Sequence, residues 1–179
     1  MKNNGQEDTI ANRLTVTLFI MYSIALFWIL LFKMGVQFSY MENRSVNLIP
    51  FREFLFLHSK INVGETLLNV VIFIPLGIYA GVLIKRWAVG KKLLCFFLIS
   101  LMFEMLQLIF RLGAFDITDI ITNTSGGIIG LIIFGVIKKL FNNSLKTQKF
   151  INIIAAAGTV LMISLLLLLK LNMLPVRYQ

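Results

Sequence analysis

The chain is poor in most of what marks a soluble enzyme or a secreted scaffold. Its 179 residues include one cysteine, one histidine, three prolines and only eight acids. The single thiol, Cys95, excludes a disulfide framework. A lone His58 beside that thiol supplies no His/Cys set at metal-ligand spacing, and no nucleophile motif accompanies them. Twelve glycines and three prolines exclude a collagen-like chain, and a charged fraction of 14% excludes the disordered class. What is abundant is apolar: 58% of the residues are hydrophobic, against about 45–50% in an average soluble domain. One soluble core could not hide that excess, because a domain of about 150 residues buries only about 70% of its unfolded surface. An integral membrane protein remains. The net charge of +9 suggests nucleic acid at first sight, but the bases fall between apolar runs and read as membrane loops. No nucleic-acid partner is expected.

A membrane-crossing helix needs roughly 20 mostly apolar residues, at about 1.5 Å of rise each. Five stretches qualify: Leu14–Phe32, Thr66–Ile84, Leu93–Phe110, Ile117–Ile137 and Phe150–Leu169. They are continuous rather than alternating, which excludes a barrel. The expected fold is therefore all-α, a polytopic bundle of five transmembrane helices. Ten of the seventeen bases, from Lys2 and Arg13 to Lys146 and Lys149, fall on one side of these spans. The positive-inside rule then places the N-terminus in the cytoplasm and the C-terminus outside. Spans one and five read as bland, span five with an Ala155–Gly158 run suited to close packing.

Polar residues concentrate in spans two to four. Span three ends in Glu104, Gln107 and Arg111, spaced i, i+3, i+7 and hence on one helical face. Glu104 lies about 9 Å inside the span's outer boundary, where an ionisable group must be paired or hydrated. Span four opens with the same spacing: Asp116, Asp119 and Asn123. Asp116 is placed to cap that helix and Asp119 to favour its dipole, so a purely structural role competes with a functional one for both. Gly126 and Gly130 form a G-x-x-x-G pair permitting close helix approach. Only a short connection joins spans three and four, so they form an antiparallel hairpin whose polar stripes can meet. Span two carries Asn69, Pro75 and Gly77, with Pro75 expected to free a carbonyl and kink the helix. Between spans one and two, the stretch from Asn47 to His58 is too short to cross a membrane. Pro50 could open a short interfacial helix there, with Arg52 near its start.

These residues carry a resemblance. Asn47-x2-Pro50-Phe51, then Asn69-x3-Phe73-x-Pro75-x-Gly77, then the ordered series from Glu104 through Gln107, Arg111, Asp116, Asp119, Asn123 and Gly126 to Gly130 resemble the VanZ-like family. The likeness covers residues 14–139, leaving 1–13 as a cytoplasmic segment and 140–179 as an appended fifth helix with a short tail. The resemblance implies a multi-pass protein of the bacterial plasma membrane, associated in the family's namesake with low-level teicoplanin resistance. It supplies no catalytic mechanism.

The residues themselves support an outward-facing polar pocket. Arg52 and Arg111 would hold an anionic group such as a lipid phosphate or a glycopeptide carboxylate. Glu104, Asp116 and Asp119 would orient hydroxyls or amines, with Asn47, Asn69, Gln107 and Asn123 completing the network. The partner on this reading is a membrane lipid, a lipid-linked envelope intermediate or the antibiotic itself. Two other classes stay open. In a membrane enzyme acting on a lipid-linked phosphate, Glu104, Asp116 and Asp119 would be the catalytic candidates. A small transporter or flippase would need polar groups in the inner halves of the spans, which have few. No cofactor is evident, although the carboxylates would admit a divalent cation. The orientation is tested by a reporter active only outside the cytoplasm. Fused after Gly113 it is expected to be active, and after Lys146 inactive; the reverse pattern overturns the assignment.

Overall fold

A computed structural model of the chain describes the backbone of residues 2–32, 46–51, 63–110 and 112–170. The element order is α1 (Lys2–Phe32), β1 (Val46–Asn47), α2 (Val63–Leu83), α3 (Val89–Phe110), β2 (Phe115–Asp116), α4 (Ile117–Phe141) and α5 (Ser144–Lys170). Among the described residues, all five helices are long and apolar enough to cross a membrane, in agreement with the five expected spans. The all-α reading holds, with one small addition. β1 and β2 form a two-residue parallel bridge that pairs Val46 with Phe115 and Asn47 with Asp116.

The helices overrun the apolar stretches at several ends. α1 begins at Lys2 rather than near Leu14, and α5 at Ser144 rather than Phe150. Hydropathy marks where a helix can meet lipid, whereas backbone hydrogen bonding continues until a cap or breaker ends it. The α4–α5 turn illustrates such an end. Asn142 adopts a left-handed backbone with φ of 45°, and its N–H returns to the Lys138 carbonyl. Asn143 then caps α5 by accepting the Lys146 N–H at 3.0 Å.

The chain separates into two compact units, Met1–Phe27 with Ile137–Gln179, and Trp28–Val136. In the first unit, α1 and α5 meet through a polar seam that makes both spans less bland than their sequences read. Thr15, fully buried, shares its one hydroxyl proton between the Ala11 carbonyl and Asn152 Oδ1, each at 2.8 Å. Gln148 Nε2 donates to Thr15 Oγ1 and to Asn12 Oδ1, and Asn152 Nδ2 reaches the Ala11 carbonyl at 3.0 Å. An exposed Lys149–Glu7 ion pair lies at the polar end of this seam. Interhelical amide and hydroxyl bonds of this kind select a partner helix where apolar packing alone cannot.

In the second unit, α2 and α4 approach at glycine. A side chain at Gly126 would run into the Val70 carbonyl, and one at Gly130 into the Ile74 carbonyl. From the other side, a side chain at Gly77 would strike the Gly127 carbonyl. The G-x-x-x-G pair of α4 therefore seats against α2. Gly127 faces α3 instead, where its added carbon would meet the Phe96 ring. Pro75 lies inside α2 without ending it. Around these contacts Phe73, Phe96, Phe103 and Ile120 are buried.

Replacing Gly130 by Ala is expected to destabilise the protein by about 1–3 kcal/mol through overpacking against backbone. Gly135→Ala, where the added carbon meets nothing within 4 Å, should be neutral or mildly stabilising. Thermal unfolding of the two purified variants in one detergent distinguishes them, and equal midpoints would contradict this packing.

Candidate functional site

The polar residues of the second unit gather where α3, α4 and the β1–β2 bridge meet. α3 buries Ser100, Glu104 and Gln107, at i, i+4 and i+7 along one face. α4 buries Asn123; half-buried Asp119 lies one turn nearer its start, and half-buried Asp116 immediately precedes the helix. Two bonds set these stripes in register. The Asp116 N–H donates to Glu104 Oε2 at 3.0 Å, and Asn123 Nδ2 donates to Ser100 Oγ at 2.9 Å. Glu104, only 3% exposed, is therefore held by a backbone donor at the head of the neighbouring helix. That is a charge-assisted bond in surroundings where an isolated carboxylate would be costly.

Asp116 performs three tasks at once. Its Oδ1 accepts the Thr118 N–H at 2.7 Å, so it caps α4 as its position suggests. Its Oδ2 accepts Asn47 Nδ2 at 3.1 Å, and its own N–H serves Glu104. Asn47 is placed for this by the β bridge, and its Oδ1 accepts the Ile49 N–H in a tight local turn. Pro50 lies within a turn, and Phe51 follows with φ of 53°, a left-handed conformation rare for a bulky residue. The Phe51 N–H is tied to Thr118 Oγ1 at 3.0 Å. Asp119 Oδ1 accepts Asn69 Nδ2 from α2 at 2.7 Å, bringing a third helix into the cluster.

The structure thus brings Asn47, Asn69, Glu104, Asp116, Asp119 and Asn123 into one connected neighbourhood. Gln107 serves a different partner. Its Nε2 donates to the Leu30 carbonyl in the last turn of α1 at 2.6 Å, satisfying a helix-terminal acceptor. Arg52, Arg111 and the helix expected after Pro50 lie outside the described residues. Ser100 and Thr118 are not among the site residues expected from the sequence. Ser100 is one turn from Glu104 on the same face, so helical spacing could have found it. Thr118 reveals its role only through a contact with a turn distant in sequence. Two buried amide oxygens, Gln107 Oε1 and Asn123 Oδ1, have no hydrogen-bond partner among the described residues. Also among these, no three His, Cys, Asp or Glu side chains come together as a metal-binding group.

An all-helical membrane protein with its polar groups gathered around one end of a helical hairpin is the class that this geometry defines. More specifically, the chain belongs to the VanZ/LLP1 family, whose model matches residues 19–142. It is 37% identical over 153 residues to Protein VanZ of Enterococcus faecium, covering 83% of this chain and 88% of that protein. No solved structure matches it significantly.

Because Asp116 joins three elements, Asp116→Ala should lose the cap, worth about 0.5–2 kcal/mol, together with the Asn47 bond. Asp116→Asn keeps a capping oxygen and is expected to retain most of the stability. Heat-step recovery of folded protein by gel filtration should rank wild type, Asn and Ala in that order.

Proposed function

We propose that this protein sits in the bacterial plasma membrane with its polar cluster facing outward, where it binds the headgroup of an envelope lipid intermediate. Binding there would lessen the action of a glycopeptide antibiotic of the teicoplanin type, as the family resemblance implies. The observation that carries this reading is Glu104. An almost fully buried carboxylate in a membrane-crossing helix, fixed by the Asp116 N–H, is expensive to maintain for packing alone. Asp119 and Asn69 extend the polar surface to a third helix, as a headgroup with several hydrogen-bonding atoms requires. In this reading, Arg52 and Arg111 hold the phosphate or carboxylate of the ligand, and the carboxylates orient its hydroxyls or amines.

The test is teicoplanin susceptibility of cells expressing wild type, Glu104→Gln or Asp119→Asn, with equal amounts of protein verified in the membrane. Both substitutions preserve shape while removing charge. The expected result is loss of most protection in each variant, the larger loss with Glu104→Gln. Unchanged protection by both would remove the carboxylates from the function.

A further inference from the structure

We propose that the turn joining α2 to α3 is a binding site for an anionic phospholipid, with Lys85, Arg86 and Lys91 supplying charge to its phosphodiester and Trp87 set at headgroup level. The proposal does not draw on the headgroup reading above. Lys91 and Glu104 are separated by most of the length of α3, about 20 Å at 1.5 Å per residue. The Trp87 N–H returns to the Ile84 carbonyl at 3.2 Å, closing a four-residue turn that holds Lys85 and Arg86 at its two central positions. The Ala88 carbonyl then accepts the Lys91 N–H at 3.1 Å, so Lys91 falls in the first turn of α3. Three cations are thereby confined to one turn and the helix start that follows it. Each is exposed, and none has an ion pair or side-chain hydrogen bond among the described residues. No Asp or Glu occurs in the sequence between Glu65 and Glu104, so no neighbouring acid along these two helices offsets the charge.

Helix electrostatics does not explain where these bases stand. Lys138 and Lys139 lie in the last turn of α4, where the helix dipole favours cations. Lys91 lies in the first turn of α3, where the dipole disfavours them, and no acid accompanies it there. The positive-inside rule asks for bases on this side of the membrane but not for one at a helix start. An anion held here relieves the repulsion among the three cations. The apolar surroundings say what bears that anion. Trp87 is 48% exposed and Val89 64%, so the same turn offers an indole and an aliphatic face beside its cations. Indole rings favour the boundary between headgroups and acyl chains, and Lys and Arg clustered just outside a membrane helix attract anionic headgroups. A soluble phosphate would use the charge and leave the apolar face unmatched. An anionic phospholipid uses both.

The experiment uses the full chain in phosphatidylcholine nanodiscs and reads Trp87 by fluorescence. The sequence has two tryptophans, so Trp28→Phe leaves Trp87 as the reporter. Quenching by phosphatidylglycerol brominated high on its acyl chains is compared with quenching by phosphatidylcholine brominated alike. The expected result is a preference for phosphatidylglycerol that falls by about fivefold in either Lys85→Gln or Arg86→Gln. The double variant Lys138→Gln, Lys139→Gln removes charge at another helix end and should keep the preference. Native mass spectrometry of the chain with Trp28 intact, counting phosphatidylglycerol retained from a mixture with phosphatidylcholine, makes the same comparison without the Trp28 substitution. Equal quenching by the two lipids overturns the proposal, as does an equal loss of preference in the Lys138 and Lys139 double variant. Suppression of the preference by glycerol 3-phosphate at constant ionic strength assigns the site to a free phosphate and overturns it as well.

Discussion

The bond from the Asp116 peptide N–H to Glu104 is the contact on which the polar end of the α3–α4 hairpin depends. A carboxylate within a membrane-crossing helix must find donors, and lipid offers none. The first N–H groups of a helix are the natural supply, because they have no partner within their own helix. Placing the start of α4 beside Glu104 satisfies the carboxylate and fixes the hairpin register. Once Asp116 is there, its side chain is free to cap α4 and to receive Asn47. The short connection between α3 and α4 is therefore as much part of the site as the side chains are.

That register has consequences deeper in the bundle. With Glu104 level with Asp116, Ser100 comes level with Asn123, and the glycines begin just beyond. Gly126 and Gly130 then accept the backbone of α2, which brings Asn69 to Asp119. Close packing and the polar cluster are thus one arrangement seen at two depths. Without the glycines, α2 would stand farther off and Asn69 would lose its partner. This gives the conjunction of small residues and acids on α4 a common physical reason, since the acids need donors and the glycines bring one within reach.

Much of this was legible because a membrane simplifies the reading. Any polar residue in an apolar run stands out, so Glu104, Asp119 and Asn123 could be found by spacing alone, and Asp116 could be recognised as a cap. Helical periodicity cannot say which neighbour each face meets. Gln107 shares a face with Glu104 yet serves the end of α1, and the glycine pair of α4 packs on α2 although α3 is its hairpin partner. The Asn47–Asp116 pairing joins residues far apart in sequence through a two-residue bridge too short to leave a pattern. The α1–α5 seam was missed for another reason. Asn12, Thr15, Gln148 and Asn152 lie near the polar ends of their helices, where such residues usually face water.

The two polar assemblies differ in how completely they are satisfied, and the difference bears on function. In the α1–α5 seam, Thr15, Gln148 and Asn152 exchange donors and acceptors among themselves and with the Ala11 carbonyl. This chain can therefore build a buried polar contact between helices that closes on itself. The α3–α4 face is not closed in that way, because Gln107 and Asn123 each engage their nitrogen and leave their oxygen unpartnered among the described residues. If helix adhesion were the sole requirement there, apolar side chains of similar volume would serve without stranding an acceptor. The two stranded amide oxygens are a cost that helix adhesion alone gives no reason to keep.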